Sequence, residues 1–163
     1  MKKRSITTVI LILLIEIFAN KIFAQGENYS WCFGDSAYVK YSSGAMVTQS
    51  YSLAESMEAN ASISDKNGNL LFYTSGLSQG GFYLKVYDRN NQLMPNGDSL
   101  FCWVSSTNGV LIVPFPGDSS KFYLFTNNRI NPSPNYFLYE HIINLALNGG
   151  NGDLIQKNLL FLR

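Results

Sequence analysis

From Gln25 onward the sequence alternates with a period of two, in short runs of β-branched and aromatic residues broken by clusters of Gly, Asn, Asp, Ser and Pro. Alternation of this kind fits strands with one buried face, and it excludes amphipathic helices, whose apolar positions recur every three to four residues. Strands are expected at Tyr29–Gly34, Ala37–Tyr41, Ala59–Ser64, Leu70–Thr74, Phe82–Tyr87, Gly109–Phe115, Phe122–Thr126, Tyr136–Ile143 and near Lys157–Leu162. The segment Asp65-Lys66-Asn67-Gly68-Asn69 reads as a hairpin turn, because Asn and Gly tolerate the positive φ that tight turns require. Pro116–Ser120, Asn148–Gly152 and Pro132-Ser133-Pro134 read as further loops, and the residues around Leu145 are the one candidate for a helical turn. The fold class is all-β.

Upstream of this pattern the chain is different. Lys2, Lys3 and Arg4 precede an apolar run from Ile6 to Phe18, and Phe23-Ala24-Gln25 closes the segment. This is the layout of a secretory signal peptide over residues 1–24, cleaved after Ala24. The apolar run contains Glu16 and is too short to span a bilayer, which needs about 20 residues. Cleavage removes Lys2, Lys3, Arg4 and Lys21 against Glu16 alone, so the formal charge of +1 becomes slightly negative in the exported domain, residues 25–163. No basic patch is then left for phosphate contacts, so nucleic acid is not an expected partner. Export also bears on Cys32 and Cys102, the only cysteines: a disulfide between them is one reading and two separate buried thiols the other.

A weak internal repeat places Phe122-Tyr123-Leu124-Phe125-Thr126 52 residues after Leu70-Leu71-Phe72-Tyr73-Thr74. Units of several strands at a period near 50 are a propeller signature, with two hairpins of a sandwich as the simpler reading. A closed propeller takes about 4–8 blades of about 40–50 residues, so residues 25–163 supply only about two to three. The expected architecture is therefore an incomplete, propeller-like stack of antiparallel sheets behind a signal helix. Its unpaired sheet edges offer a route to self-association.

The order of short motifs carries a resemblance. Trp31-Cys32-Phe33-Gly34 is followed by Glu58–Asp65 and by Gly68-Asn69-Leu70-Leu71-Phe72-Tyr73-Thr74-Ser75-Gly76. Then come Met94-Pro95-Asn96-Gly97, Ser105-Ser106-Thr107-Asn108, Ile112-Val113-Pro114-Phe115-Pro116-Gly117 and Phe122–Thr126. From about residue 30 to Asn158 this succession resembles the N-terminal propeller-like region of secreted gliding-motility-associated proteins that carry a type IX (type B) sorting domain. Ser75 stands where those proteins usually have Asp, and Asn108 where they usually have Gln. The resemblance implies an exported, non-catalytic adhesion or binding module reached through the periplasm of a Gram-negative bacterium. Its partner would be an extracellular glycan or protein, and it would need no cofactor. It also implies that residues 25–163 are the N-terminal part of something longer, with further blades and a sorting domain beyond, or a truncated product without independent function. Asp35-Ser36-Ala37 and Asp98-Ser99-Leu100 look like the short O-glycosylation motifs of bacteria using this route.

Catalytic chemistry finds few parts. Asp65, Asn67 and Asn69 alternate as in a calcium loop, but Leu70 and Gly76 stand where that loop needs Gly and a bidentate Glu, so a turn is expected and no metal site. Glu55 and Glu58 are the residues from which a secreted hydrolase on a propeller scaffold would have to build its carboxylate pair. His141, the single histidine, reads as a half-exposed strand residue without metal-ligating neighbours, and no Gly-x-Ser-x-Gly elbow is present. The aromatics Trp31, Phe72, Tyr73, Tyr83, Tyr87, Trp103, Phe122, Tyr123, Tyr136 and Tyr139 are the richest feature. On alternating strands they read mainly as core, with exposed ones able to hold sugars or peptides. The loops Ser75–Gly81 and Asn127–Pro134 are the expected ligand-presenting segments.

Overall fold

A computed structural model describes residues 26–42, 44–48, 51–55, 58–76, 82–129 and 136–162. The expected leader, residues 1–24, lies outside the described residues, as do most of the 75–81 loop and residues 130–135. The described chain forms three antiparallel sheets in chain order, none of them closed. Sheet I holds β1 (Ser30–Phe33), β2 (Ala37–Ser42) and β3 (Ala45–Thr48). Sheet II holds β4 (Ser62–Ser64), β5 (Leu70–Gly76), β6 (Tyr83–Asp88) and β7 (Leu100–Phe101). Sheet III holds β8 (Val110–Pro114), β9 (Lys121–Arg129), β10 (Tyr136–Asn144) and β11 (Asp153–Leu162). Each sheet is a simple meander in which consecutive strands pair.

The turns behave as their chemistry demands. Asp65 Oδ1 accepts the backbone N–H groups of Asn67 and Asn69 at 2.8 and 2.9 Å, and Asn69 Nδ2 donates to Oδ2 at 3.0 Å. That carboxylate is consumed by its turn, as expected of a hairpin rather than a cation loop. Gly68 has φ +81°, and a Cβ there would meet the Tyr29 ring at 2.7 Å. Strands β3 and β7 escape the sequence reading. β3 is exposed at every residue and β7 is only two residues long, so neither carries an alternating apolar signal.

Two apolar clusters bind the sheets together. Phe72, Leu84, Val86 and Leu100 of sheet II share one with Val110, Phe122, Leu124, Ile143 and Leu154 of sheet III. Phe72 and Phe122 meet edge to face at 5.4 Å. The other cluster joins Cys32 and Tyr38 of sheet I to Leu70, Tyr73 and Tyr87 of sheet II, with Tyr73 and Tyr87 stacked at 5.5 Å. Sheet II thus lies between the other two, which is why β5 is buried on both faces.

The repeat is retained in strand position: Leu70–Thr74 and Phe122–Thr126 each lie in the second strand of a four-stranded meander. It is not retained in facing. Phe72 and its counterpart Leu124 share one core, whereas Tyr73 is fully buried against sheet I and its counterpart Phe125 is only half-buried. Period-two alternation holds within a strand and is reset by the turns between strands, so the spacing matches strand order while the facing is set by what each sheet packs against.

The two cysteines belong to different clusters, Cys32 between sheets I and II and Cys102 between sheets II and III, and both are free thiols. Burial pushes each thiol pKa up to about 12. Of the two sequence readings, the structure contains the pair of separate buried thiols.

Candidate binding rim

Antiparallel pairing brings one end of sheets II and III to a common edge. The end of β5, the start of β6, the end of β7, the start of β8, the end of β9 and the start of β10 all meet there, as the pairs Gly76 with Leu84, Tyr83 with Phe101, Val110 with Thr126 and Tyr136 with Arg129 require. Several rings gather at this rim. Phe82 and Trp103 lie 5.2 Å apart, centroid to centroid. Tyr83, Phe101, Tyr139 and Phe137 form a chain with spacings of 6.0, 5.2 and 6.4 Å. Backbone hydrogen bonds fix the loop that carries Trp103: Trp103 N donates to Asn127 O at 2.8 Å and Cys102 N to Phe82 O at 3.0 Å.

Polar groups stand among the rings. Asn127 Nδ2 donates to Ser106 Oγ at 2.9 Å, and the Arg129 guanidinium lies over the Tyr136 ring at 5.8 Å. Three consecutive residues keep a buried polar atom without a partner: Asn127 Oδ1, Asn128 Oδ1 and Arg129 Nε. Buried polar groups are nearly always hydrogen-bonded, and leaving one unpaired costs about 1–3 kcal/mol. Asn127 and Arg129 share one face of β9, with Asn128 on the other, so the first two mark a place that a ligand can complete. Flat rings beside amide and guanidinium groups are the chemistry that holds sugar faces or extended peptide.

The sequence candidates separate by place. Of the ten aromatics, Phe72, Tyr73, Phe122 and Tyr139 are buried. Tyr83, Trp103 and Tyr136 stand at the rim, and Trp31, which is 48% exposed, lies far off on sheet I. Glu55 and Glu58 are exposed and stand beside this end of sheet II: Glu55 N donates to Ser75 Oγ at 2.9 Å, and Ala59 N, next to Glu58, donates to Val104 O at 3.2 Å. Among the described residues no group of three or more His, Cys, Asp or Glu is placed to hold a metal. Asp98 pairs with Lys157 at 3.2 Å, and Ser36 and Ser99 both have positive φ on exposed turns.

His141 requires correction. It is fully buried, not half-exposed, because β10 turns it toward sheet II along with Tyr139 and Ile143. Its ring is held at both nitrogens. Thr126 Oγ1 donates to Phe101 O at 2.6 Å, so it accepts from His141 Nε2 at 3.0 Å, while Nδ1 accepts the N–H of Asn158 at 3.0 Å. These partners define the neutral Nε2–H tautomer. Burial, with Lys157 nearby, lowers the His141 pKa to about 4. Asn158, at φ +58° inside β11, continues the link into sheet II by accepting Phe101 N–H at 2.8 Å and donating to Ser99 O at 3.1 Å. The node is structural and closed, with its hydrogen-bonding capacity already spent. Sequence reading put Asn127–Arg129 in the ligand-presenting loop Asn127–Pro134, whereas they are the end of strand β9, and only the fold shows that their side-chain atoms lack partners.

Comparison of this chain with known protein families, with curated proteins and with solved structures found no match.

Proposed function

We propose that the protein is an exported, non-catalytic binding module of the gliding-motality and type IX secretion class, built as a propeller-like stack of sheets. Its rim would hold an extracellular glycan or protein segment. The observation that carries this reading is the pair of unpartnered polar atoms at Asn127 and Arg129, on one face of β9, near the Phe82–Trp103 and Tyr83–Phe101 ring pairs. The motif succession from Trp31 to Asn158 supports the class, and three consecutive meanders are the units from which such a stack is made.

The test is a screen of oligosaccharide and peptide arrays, followed by titration of any hit against wild type, Trp103→Ala and Tyr136→Ala. Loss of a central ring from a binding surface typically costs about 2 kcal/mol, so both variants should bind at least roughly tenfold more weakly with unchanged far-ultraviolet circular dichroism. Binding unaffected by either substitution, or turnover in a hydrolase panel, would overturn the proposal.

A further inference from the structure

The middle of the face of sheet III turned away from sheet II is apolar and uncovered among the described residues, with Lys121 over the Phe115 ring at one end and Asn127 and Arg129 at the other. Cross-strand register sets Leu111, Phe125, Glu140 and Leu159 in one row and Val113, Tyr123, Ile142 and Gln156 in the next. Leu111 is 58% exposed, Leu159 50% and Phe161 57%. A ladder of rings runs across the face, Phe115 to Tyr123 at 4.7 Å, Tyr123 to Phe125 at 5.7 Å and Phe125 to Phe161 at 5.4 Å. The single charge in the two rows, Glu140, already accepts a hydrogen bond from Gln156 Nε2 at 2.9 Å. Monomeric proteins rarely leave so continuous an apolar face in water.

We infer that this face docks on the same face of a second copy of the chain, forming a twofold dimer of two sheets packed face to face. Size favours this occupant. Four strands about 4.8 Å apart and five to ten residues long cover on the order of 500 Å² in projection. A standard specific interface takes about 800 Å² of accessible surface from each partner, which a corrugated face of this extent approaches. The other uncovered face, on sheet I, carries Trp31, Phe33 and Met46 but has only three strands of four to six residues, under half that area. A head-to-tail contact would be limited by the smaller face, and an isologous one is not. Twofold pairing of identical faces is also the commonest way that soluble chains assemble. The contact uses faces, where the sequence pointed to edges, and it does not depend on the rim.

Sedimentation velocity of the exported chain from about 1 to 100 μM, the range over which moderate homodimers dissociate, should show a species of twice the chain mass. Leu111→Lys should raise the dissociation constant at least roughly tenfold, because it buries an unpaired charge, while circular dichroism stays unchanged. Met46→Lys, on the sheet I face, should leave the dimer intact. A wild-type monomer throughout the range overturns the proposal. Equal loss of the dimer in Met46→Lys also overturns it, in favour of a head-to-tail contact. Failure of the dimer leaves ligand binding at the rim untouched, and failure of the rim leaves the dimer.

Discussion

The two seams of the stack are made differently. Between sheets I and II, serine hydroxyls stand in for strand carbonyls and amides. Ser62 Oγ accepts from Cys32 N–H at 3.3 Å and donates to Ser30 O at 2.7 Å, and Ser64 Oγ accepts from Ser30 N–H at 3.2 Å. Tyr73 adds a phenol that accepts Leu53 N–H at 2.9 Å and donates to Asn91 Oδ1 at 2.7 Å. Between sheets II and III the corresponding work falls to an imidazole and an amide, His141 and Asn158. Hydroxyls keep their charge at any pH a protein survives, whereas an imidazole does not. The hydroxyls of one seam are therefore unchanged by mild acid, while the imidazole of the other is protonated by it.

That contrast is open to test, beginning with the largest effect. Phe72→Ala removes a fully buried ring from the seam between sheets II and III and should cost about 3–5 kcal/mol in denaturant unfolding. A loss under about 1 kcal/mol would mean that the two sheets hold together chiefly by polar contacts. Next comes acid. The folded pKa of His141, about 4, lies below its unfolded value of about 6.5, so the unfolded chain binds the proton first as pH falls. The contribution is whole above about pH 6.5 and fades down to about pH 4, for a total of about 3 kcal/mol. His141→Gln supplies one donor and one acceptor without titrating, and its unfolding midpoint should be nearly flat from about pH 6.5 to about pH 5. Below that, Asp65, Asp98 and Asp118, held below the usual carboxylate range, begin to lose their own contribution. A wild-type midpoint that is equally flat would remove His141 from the account. The smallest effect is at the other seam. Ser62→Ala strands the Cys32 amide and the Ser30 carbonyl and should cost about 1–2 kcal/mol, by the same amount at pH 7 and pH 5.

Much of this architecture was legible because alternation reports directly on strands with one wet face. Phe122–Thr126 and Tyr136–Ile143 fall inside β9 and β10, and the Asp65–Asn69 turn forms as its residues dictate. Where burial is two-sided or absent, the signal fails. β5 hides both faces and reads only as an apolar run, while β3 hides neither. His141 was misplaced for a related reason: its neighbours Glu140 and Ile142 are half-buried and surround a position whose depth depends on what sheet II brings against it. The rim was legible as loops and rings but not as a set, since Trp103 meets Phe82 and Asn127 only after two meanders have folded. The repeat shows the limit from another side, because a spacing of residues carries strand order but says nothing of which way each strand looks.

The left-handed backbone at Asn158 has a consequence for the molecule's behaviour at high concentration. β11 is an outer strand rich in leucine, and a straight strand of that composition would be a template for runaway cross-β growth. Asn158 instead turns its peptide toward His141 and β7, and the pairing of β11 with β10 shifts register three times along its length. The outward row of donors and acceptors is thereby broken into pieces too short to seed an added strand. At the far edge of the same sheet, Pro114 has no amide hydrogen to offer. The sheet with the most apolar surface is thus guarded against fibre formation at both margins, so the stickiness of its face is directed into a contact of limited size.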